Sequence, residues 1–250
     1  TELLSILPKN PKDTCQVPED NKLDKEGRKK KKRKKKPVSH KNIKLFPREA
    51  IRDVNYELLE DGGIALKLGE IQDSELPIVT ICTPTGNRRT LFTLAIRNFM
   101  SFIYPGDKIR WNILDDGDTS MEDIIPRDYR VKYNYIGSGK TSRLSVAEMR
   151  NKLVETSESE MICFMDDDDY YPPESILARV KALLKYKSDG VECVGCRDVA
   201  SYDLKQGLCA ICSNGEEYLT ESSLGFTKTF WQQRQFRNGD CASEYRYFLE

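Results

Sequence analysis

Histidine is almost absent from this chain: of its 250 residues only His40 is one, and it stands in a lysine-rich segment. Any general base in the rest of the chain therefore falls to carboxylates. No apolar run reaches the roughly 18 residues that a membrane-spanning helix requires. Eight cysteines (Cys15, Cys82, Cys163, Cys193, Cys196, Cys209, Cys212, Cys241) are too few at this length for a disulfide scaffold. Several lie in apolar, strand-like runs, as small hydrophobes do in a reducing compartment, so a cytoplasmic location is expected. A signal peptide and an initiator methionine are also lacking: the chain opens TELLSILPKNPK and is expected to be a piece of a longer protein.

Net charge is missing as well, with 40 basic residues against 40 acidic ones, but the balance hides an asymmetry. Residues 1–45 carry 15 Lys and Arg against 6 Asp and Glu, which leaves 25 against 34 in residues 46–250. The chain is a basic arm on an acidic body. Nine consecutive basic residues, Arg28 to Lys36, form the centre of the arm amid polar and proline-containing sequence. Such a segment cannot bury enough apolar surface to offset its ordering entropy, so 1–45 is expected to be a disordered arm or linker. A nuclear-import signal, a tether to nucleic acid or another anionic surface, and a plain solvated linker all fit it. Nucleic acid is not an expected ligand of the acidic body.

After a lead-in over 46–76 the pattern becomes regular. PIVTICTP (77–84) is short, β-branched and nearly all apolar, as in a strand buried on both faces. TGNRR is turn chemistry, and 90–102 places Leu91, Leu94, Ala95, Phe99 and Phe102 at helical spacing. KIRWNILDDGD (108–118) and VKYNYIG (131–137) are further strands, and 145–156 a helix. MICFM then runs into four aspartates, and PPESILARVKALLKY follows as a helix with proline in its first turn. This alternation predicts an α/β fold with a mostly parallel sheet flanked by helices. Beyond 190 the helical period fades into shorter strands, a smaller mixed or antiparallel extension, and 224–250 is aromatic-rich with helix-like spacing at its end.

Ligands of such sheets bind outside the carboxyl ends of the strands, where three polar signatures fall: 83–88, 115–118 and 166–169. Four adjacent carboxylates, Asp166 to Asp169, repel one another and suit neither strand nor helix. An acidic helix cap explains about one of them. The economical use is a hard divalent cation, Mn²⁺ or Mg²⁺, held by one or two carboxylates together with substrate phosphates.

TPTGNR, LDDGDTS, AEMRN, FMDDDDYYPP and the late FW…F…SE stretch, in that order, resemble the nucleotide-sugar glycosyltransferases of family 2, with the GT-A fold, over about residues 77–250. The likeness looks closest to enzymes of this type from large DNA viruses, which implies a host-cytoplasmic setting. It implies a metal-dependent, inverting transfer of a sugar, from a UDP-sugar donor, to a hydroxyl acceptor on a glycan or protein. Residues 77–189 would form the nucleotide-sugar half and 190–250 the acceptor half, expected to be truncated at Glu250. Thr83, Pro84, Thr85 and Arg88 match the turn that lines base and ribose. Asp116 matches the acceptor for the uracil imide, with Asp115 beside it. The family's D-x-D falls on Asp166 and Asp168, the metal residues, with Asp167 beside them; the register Asp167 and Asp169 stays open. Lys140 and Arg143 fall in a loop near the phosphates, and Arg150 and Asn151 match a pair that supports the aspartate loop. Glu244 matches the late acidic base, with Asp240 in reserve. Phe230 and Trp231 match positions near the acceptor, and serve equally well as core residues.

Three other readings stand beside this one. Cys193-x-x-Cys196 and Cys209-x-x-Cys212 have the spacing of a structural zinc site, although a spacing of three in a strand puts the two thiols on opposite faces. A nucleotidyltransferase acting on sugar phosphates would also use a cation and paired carboxylates. A non-catalytic sugar- or nucleic-acid-binding module, tethered by the arm, is the third.

Overall fold

The computed structural model describes residues 56–58, 64–66, 71–137, 143–203, 205–213 and 219–237. The basic arm, Lys140, Asp240, Cys241 and Glu244 lie outside the described residues. The lead-in contributes a short antiparallel pair, β1 (Tyr56–Leu58) and β2 (Ile64–Leu66).

The regular part begins with β3 (Val79–Thr85), followed by α1 (Arg89–Ser101), β4 (Ile109–Asp115), β5 (Val131–Tyr135), α2 (Val146–Glu155), β6 (Met161–Phe164) and α3 (Ser175–Lys185). Each element that the hydrophobic pattern predicts between 77 and 189 is present. Two boundaries differ from expectation. Both prolines precede α3, whose N-cap is Glu174, so neither lies in its first turn. The strand signatures of 108–118 and 131–137 outlast the strands, because their last residues turn away to build the crevice.

Strand order in the main sheet is β5-β4-β3-β6-β10-β7, where β7 is Cys193–Val194 and β10 is Gly225–Thr227. The first four strands run parallel, and β10 inserts antiparallel between β6 and β7. β8 (Asp198–Asp203) and β9 (Leu208–Ser213) pair as a separate antiparallel hairpin. The expected parallel sheet with a smaller antiparallel extension is therefore what forms. β10 escapes the sequence pattern because three residues are too short to show a period.

Alternation along the central strands divides the core. Ile81, Trp111, Ile113, Met161 and Cys163 pack with Phe92, Ala95 and Phe99 of α1 and with Ile176, Val180 and Leu183 of α3. Cys82, Leu114, Ile162 and Phe164 point the other way, onto Ala147, Leu153 and Val154 of α2 and onto Trp231 and Phe236. Trp231 sits on the short helix α4 (Lys228–Gln233). Strand β3 is buried on both faces apart from Pro84, which is why its sequence lacks the apolar/polar alternation of a half-exposed strand. Among the described residues no helix is long and apolar enough to cross a membrane.

At the carboxyl edge of the sheet the turns after β3, β4 and β5 touch through their backbones. A Cβ on Gly137 would lie 1.7 Å from the Gly117 carbonyl oxygen, and one on Gly117 would lie 2.8 Å from the Asn87 nitrogen. Backbone atoms cannot swing aside as a flexible side chain can. Gly137→Ala is expected to force these turns apart, costing about 2–3 kcal/mol. For a domain of this size that lowers Tm by roughly 5–10 °C in a thermal melt; an unchanged Tm would show that the turns do not hold this contact.

Candidate active site

Because β3 lies between β4 and β6, residues leaving it can reach both neighbouring strand ends. Thr85 donates its hydroxyl to Asp167 Oδ2 at 2.5 Å. Asn87, in the left-handed region at φ 59°, grips the β4 turn: its Nδ2 donates to Asp118 Oδ2 at 2.7 Å, and its Oδ1 accepts from the Asp118 N–H at 2.7 Å. Arg88 Nη1 donates to Asp167 Oδ1 at 3.0 Å and to Asp168 Oδ2 at 2.6 Å.

The β4 end carries two buried carboxylates. Asp115 accepts from the Gly117 N–H at 2.8 Å and from the Tyr133 hydroxyl at 2.6 Å. Burial, and then the Asp115 carboxylate, push the Tyr133 phenol up to about 12, so it stays a donor across the physiological range. Asp116 Oδ2 accepts from the Leu144 N–H at 2.5 Å, which ties the chain entering α2 to this strand end. Arg143 pairs with Asp118 at 2.8 Å. Hydrogen bonds from Asn87 and Arg143 hold the Asp118 carboxyl below its ordinary range.

The β6 end distributes its aspartates. Asp167 is turned into the scaffold against Thr85 and Arg88, with 3% of its side chain exposed, whereas Asp168 keeps 40%. Asp166 is half-buried, and its Oδ1 lacks a hydrogen-bond partner among the described residues, meeting the Arg150 guanidinium only at 3.6 Å. Burial, opposed in part by Arg150 and aggravated by the three neighbouring aspartates, pushes the Asp166 carboxyl from its ordinary 3.8 up to about 6. Asp167 is raised by burial too, while Thr85 and Arg88 oppose the rise. Asp169 is fixed through its carbonyl, which accepts from Asn98 Nδ2 at 2.8 Å.

The loop is anchored from below. The Tyr171 hydroxyl accepts from the Asp166 N–H at 2.9 Å and donates to the Ser222 carbonyl at 2.9 Å. Arg150, with 3% of its side chain exposed, pairs with Glu221 at 3.0 Å and lies over the rings of Phe164 and Phe236. Asn151 accepts from the Trp231 indole at 2.8 Å and from the Phe236 N–H at 3.0 Å, and donates to the Phe236 carbonyl at 2.7 Å. Of the Arg-Asn pair, Arg150 lies beside the aspartate loop at Asp166, while Asn151 fastens Trp231 and Phe236.

The three strand ends come together as expected, but several side chains face elsewhere. Thr83 is fully buried, its hydroxyl accepting from the Trp111 indole at 2.9 Å, and Pro84 is half-buried within β3. Trp231 is buried among core residues, leaving little ring face for a sugar; Phe230 is partly buried beside it. Among the described residues no three His, Cys, Asp or Glu side chains converge as a closed metal cage. Cys193, Cys196 and Cys209 are free thiols, Cys209 lying exposed on the separate hairpin; the Cys212 side chain is outside the described residues. Sequence reasoning missed Asn98, Tyr133, Tyr171 and Glu221. Asn98 left a trace, an amide on the apolar face of a helix; Glu221 left none, because its partner is 71 positions away.

Asp166 makes a pH prediction for the metal-free protein. Its folded value lies above that of the unfolded chain, so ionising it disfavours the folded state. The Asp166 contribution to stability should fall as pH rises between about 4 and 6, and Asp166→Asn should remove that contribution. In thermal melts without divalent cations the variant should gain about 5 °C on the wild type between pH 4 and pH 7. A difference independent of pH would show that Asp166 titrates normally.

Among curated protein sequences none matches the chain significantly. The fold is similar to that of S. aureus TarS residues 1–349 in complex with UDP, with TM-score 0.52 and 14% identity over 68% of this chain and 53% of that one. For the same TarS segment in complex with UDP-GlcNAc the TM-score is 0.50, at 14% identity over 68% and 52%. The mannosyltransferase PcManGT from Pyrobaculum calidifontis, in complex with GDP-Man and Mn²⁺, aligns with TM-score 0.49 and 17% identity over 64% and 47%. The chain spans about half the length of these structures. At such identities the TarS likeness concerns the sheet and its flanking helices, the GT-A arrangement. Residues 80–247 match the family described as Glycosyl transferase family 2, a span that takes in the three strand ends and the aspartate loop. On that match, over well more than half of its residues, the chain belongs to glycosyl transferase family 2.

Proposed function

We propose that the chain is the catalytic part of a metal-dependent, inverting glycosyltransferase that moves a sugar from a nucleotide donor, UDP-linked, to a hydroxyl acceptor on a glycan or protein. One observation supports this reading: the aspartate loop turns Asp167 inward against Thr85 and Arg88, leaves Asp168 exposed, and leaves Asp166 Oδ1 without a hydrogen-bond partner among the described residues.

The residues fit a divalent cation. Asp166 Oδ1 lacks a hydrogen-bond partner among the described residues, Asp168 is an exposed carboxylate, and an open set of this size suits an ion that takes its remaining ligands from phosphates and water. Asp166 and Asp168 would hold Mn²⁺ or Mg²⁺, which when bound supplies Lewis-acid neutralisation of the departing nucleoside diphosphate. The alternative register is disfavoured because Asp167 is already engaged by Thr85 and Arg88.

The chain's own groups orient the donor. The turn after β3 and the Asp115–Asp116 end of β4 form the nucleoside wall. Uridine as the base rests on the likeness of LDDGD to the family's motif, and TarS, a neighbour in fold, was solved with UDP. Arg88 and Arg143 place guanidiniums beside the crevice, suited to pyrophosphate oxygens, and Lys140 is assigned with them by sequence. Direct displacement requires a base on the acceptor hydroxyl, and Glu244, within the matched span, takes that proton.

Asp168→Asn should reduce both transfer and donor hydrolysis by at least about 100-fold. Tm should change little because Asp168 is exposed, and near-normal turnover would overturn the assignment. A nucleotide-sugar screen with Mn²⁺ or Mg²⁺ should release nucleoside diphosphate, while pyrophosphate release would mark a nucleotidyltransferase instead. Glu244→Gln should lose transfer yet keep donor affinity measured by thermal shift, and equal loss of both would make Glu244 structural.

A further inference from the structure

Arg88 binds two aspartates of very different exposure through one nitrogen. Its partner Asp167 has 3% of its side chain exposed, and its partner Asp168 has 40%. These two bonds differ in what breaking them costs. Separating a buried charge from its only cation is expensive, because the carboxylate is left without solvation. Separating an exposed pair costs little, because water and salt replace the partner. Thr85 also holds Asp167 at 2.5 Å, so the inner attachment is doubly secured. Among the described residues the Asp168 carboxylate has no such reinforcement, its hydrogen bond being the one from Arg88 Nη1 at 2.6 Å.

Resting on the cation reading of Asp168 above, we propose that Arg88 is a resident counter-cation of the aspartate loop. In the metal-free protein it occupies the Asp168 carboxylate oxygen that a divalent ion would use. It yields that oxygen when the ion arrives and keeps its bond to Asp167. The local charge requires such a group: four adjacent carboxylates face two paired guanidiniums, Arg88 on Asp167 and Asp168, and Arg150 on Asp166. Arg150 cannot take the part of the yielding cation, because it is buried over two rings and tied to Glu221. Arg88 has 49% of its side chain exposed and stands at the N-cap of α1. Arg88 is therefore a positioning residue. It keeps Asp168 oriented and paired with a positive charge while the site is metal-free, and it makes the ion compete for its ligand, so that the ion binds best together with a diphosphate that adds further oxygens.

The test measures Mn²⁺ binding to the full chain without nucleotide, reading free Mn²⁺ by electron paramagnetic resonance. Arg88→Gln removes both charge and latch, and should bind Mn²⁺ about tenfold more tightly than the wild type. Arg88→Lys keeps the charge, but its shorter side chain falls short of Asp168 while held at Asp167. It should tighten binding about threefold and covers the case in which the glutamine variant fails to fold. Tightening in Arg88→Gln with none in a folded Arg88→Lys would reduce the effect to net charge and overturn the latch. So would unchanged or weaker binding in both variants. Asp168→Asn separates the two levels of the argument. If it leaves Mn²⁺ affinity at the wild-type value, the cation assignment itself fails. If it weakens binding while neither Arg88 variant tightens it, only the role of Arg88 is lost.

Discussion

Four adjacent carboxylates can share one turn only if each is sent to a different partner, and most of this site is arranged around that repulsion. Asp167 goes inward to Thr85 and Arg88, Asp166 rests near Arg150, Asp168 meets the outer side of Arg88, and Asp169 is pinned through its carbonyl by Asn98. The distribution is possible because β3 occupies the middle of the parallel strands. From that position Thr85 and Arg88 reach the β6 end, and Asn87 reaches the β4 end.

Arg150 shows how deep the support extends. A guanidinium with 3% exposure is costly unless its charge is matched, and here Glu221 and Asp166 match it while two phenyl rings face its plane. Glu221 and Phe236 belong to the later part of the chain, and Asn151 fastens the same part through Trp231 and Phe236. The later part of the chain therefore also supports a carboxylate of the aspartate loop, which links the placement of Asp166 to the packing of the last described strand and helix.

The crevice combines tight and loose elements. The glycine contacts between turns and the buried Asp115 and Asp167 make a fixed wall, whereas Arg88, Asp168, Asp118 and Arg143 remain exposed and exchangeable. Fixed donors and acceptors preorganise a site, and exposed ion pairs can be remade around a ligand at low cost. The division follows burial, since water stands ready to replace the outer pairs and is excluded from the inner ones.

Much of this was legible in the chain itself. Strands β3, β4, β5 and β6 and the helices between them follow from apolar periodicity, a local property, and the polar strand ends mark the crevice because a parallel sheet aligns those ends. Asp166 to Asp169 are conspicuous since such a run has no ordinary structural use. Directions were not legible. Thr83 was expected to face the nucleoside and instead meets Trp111; Trp231 had two equal readings and lies in the core; β10 was hidden by its length. The sequence by itself determined which elements form, which carboxylates crowd one turn and which family the motifs resemble, because these depend on near neighbours in the chain. Only the tertiary structure decided which aspartate turns inward, and that Arg88, Arg150 and Asn98 hold the loop. Those choices depend on partners 16 to 82 positions away, whose approach is set by strand order and packing rather than by any local pattern.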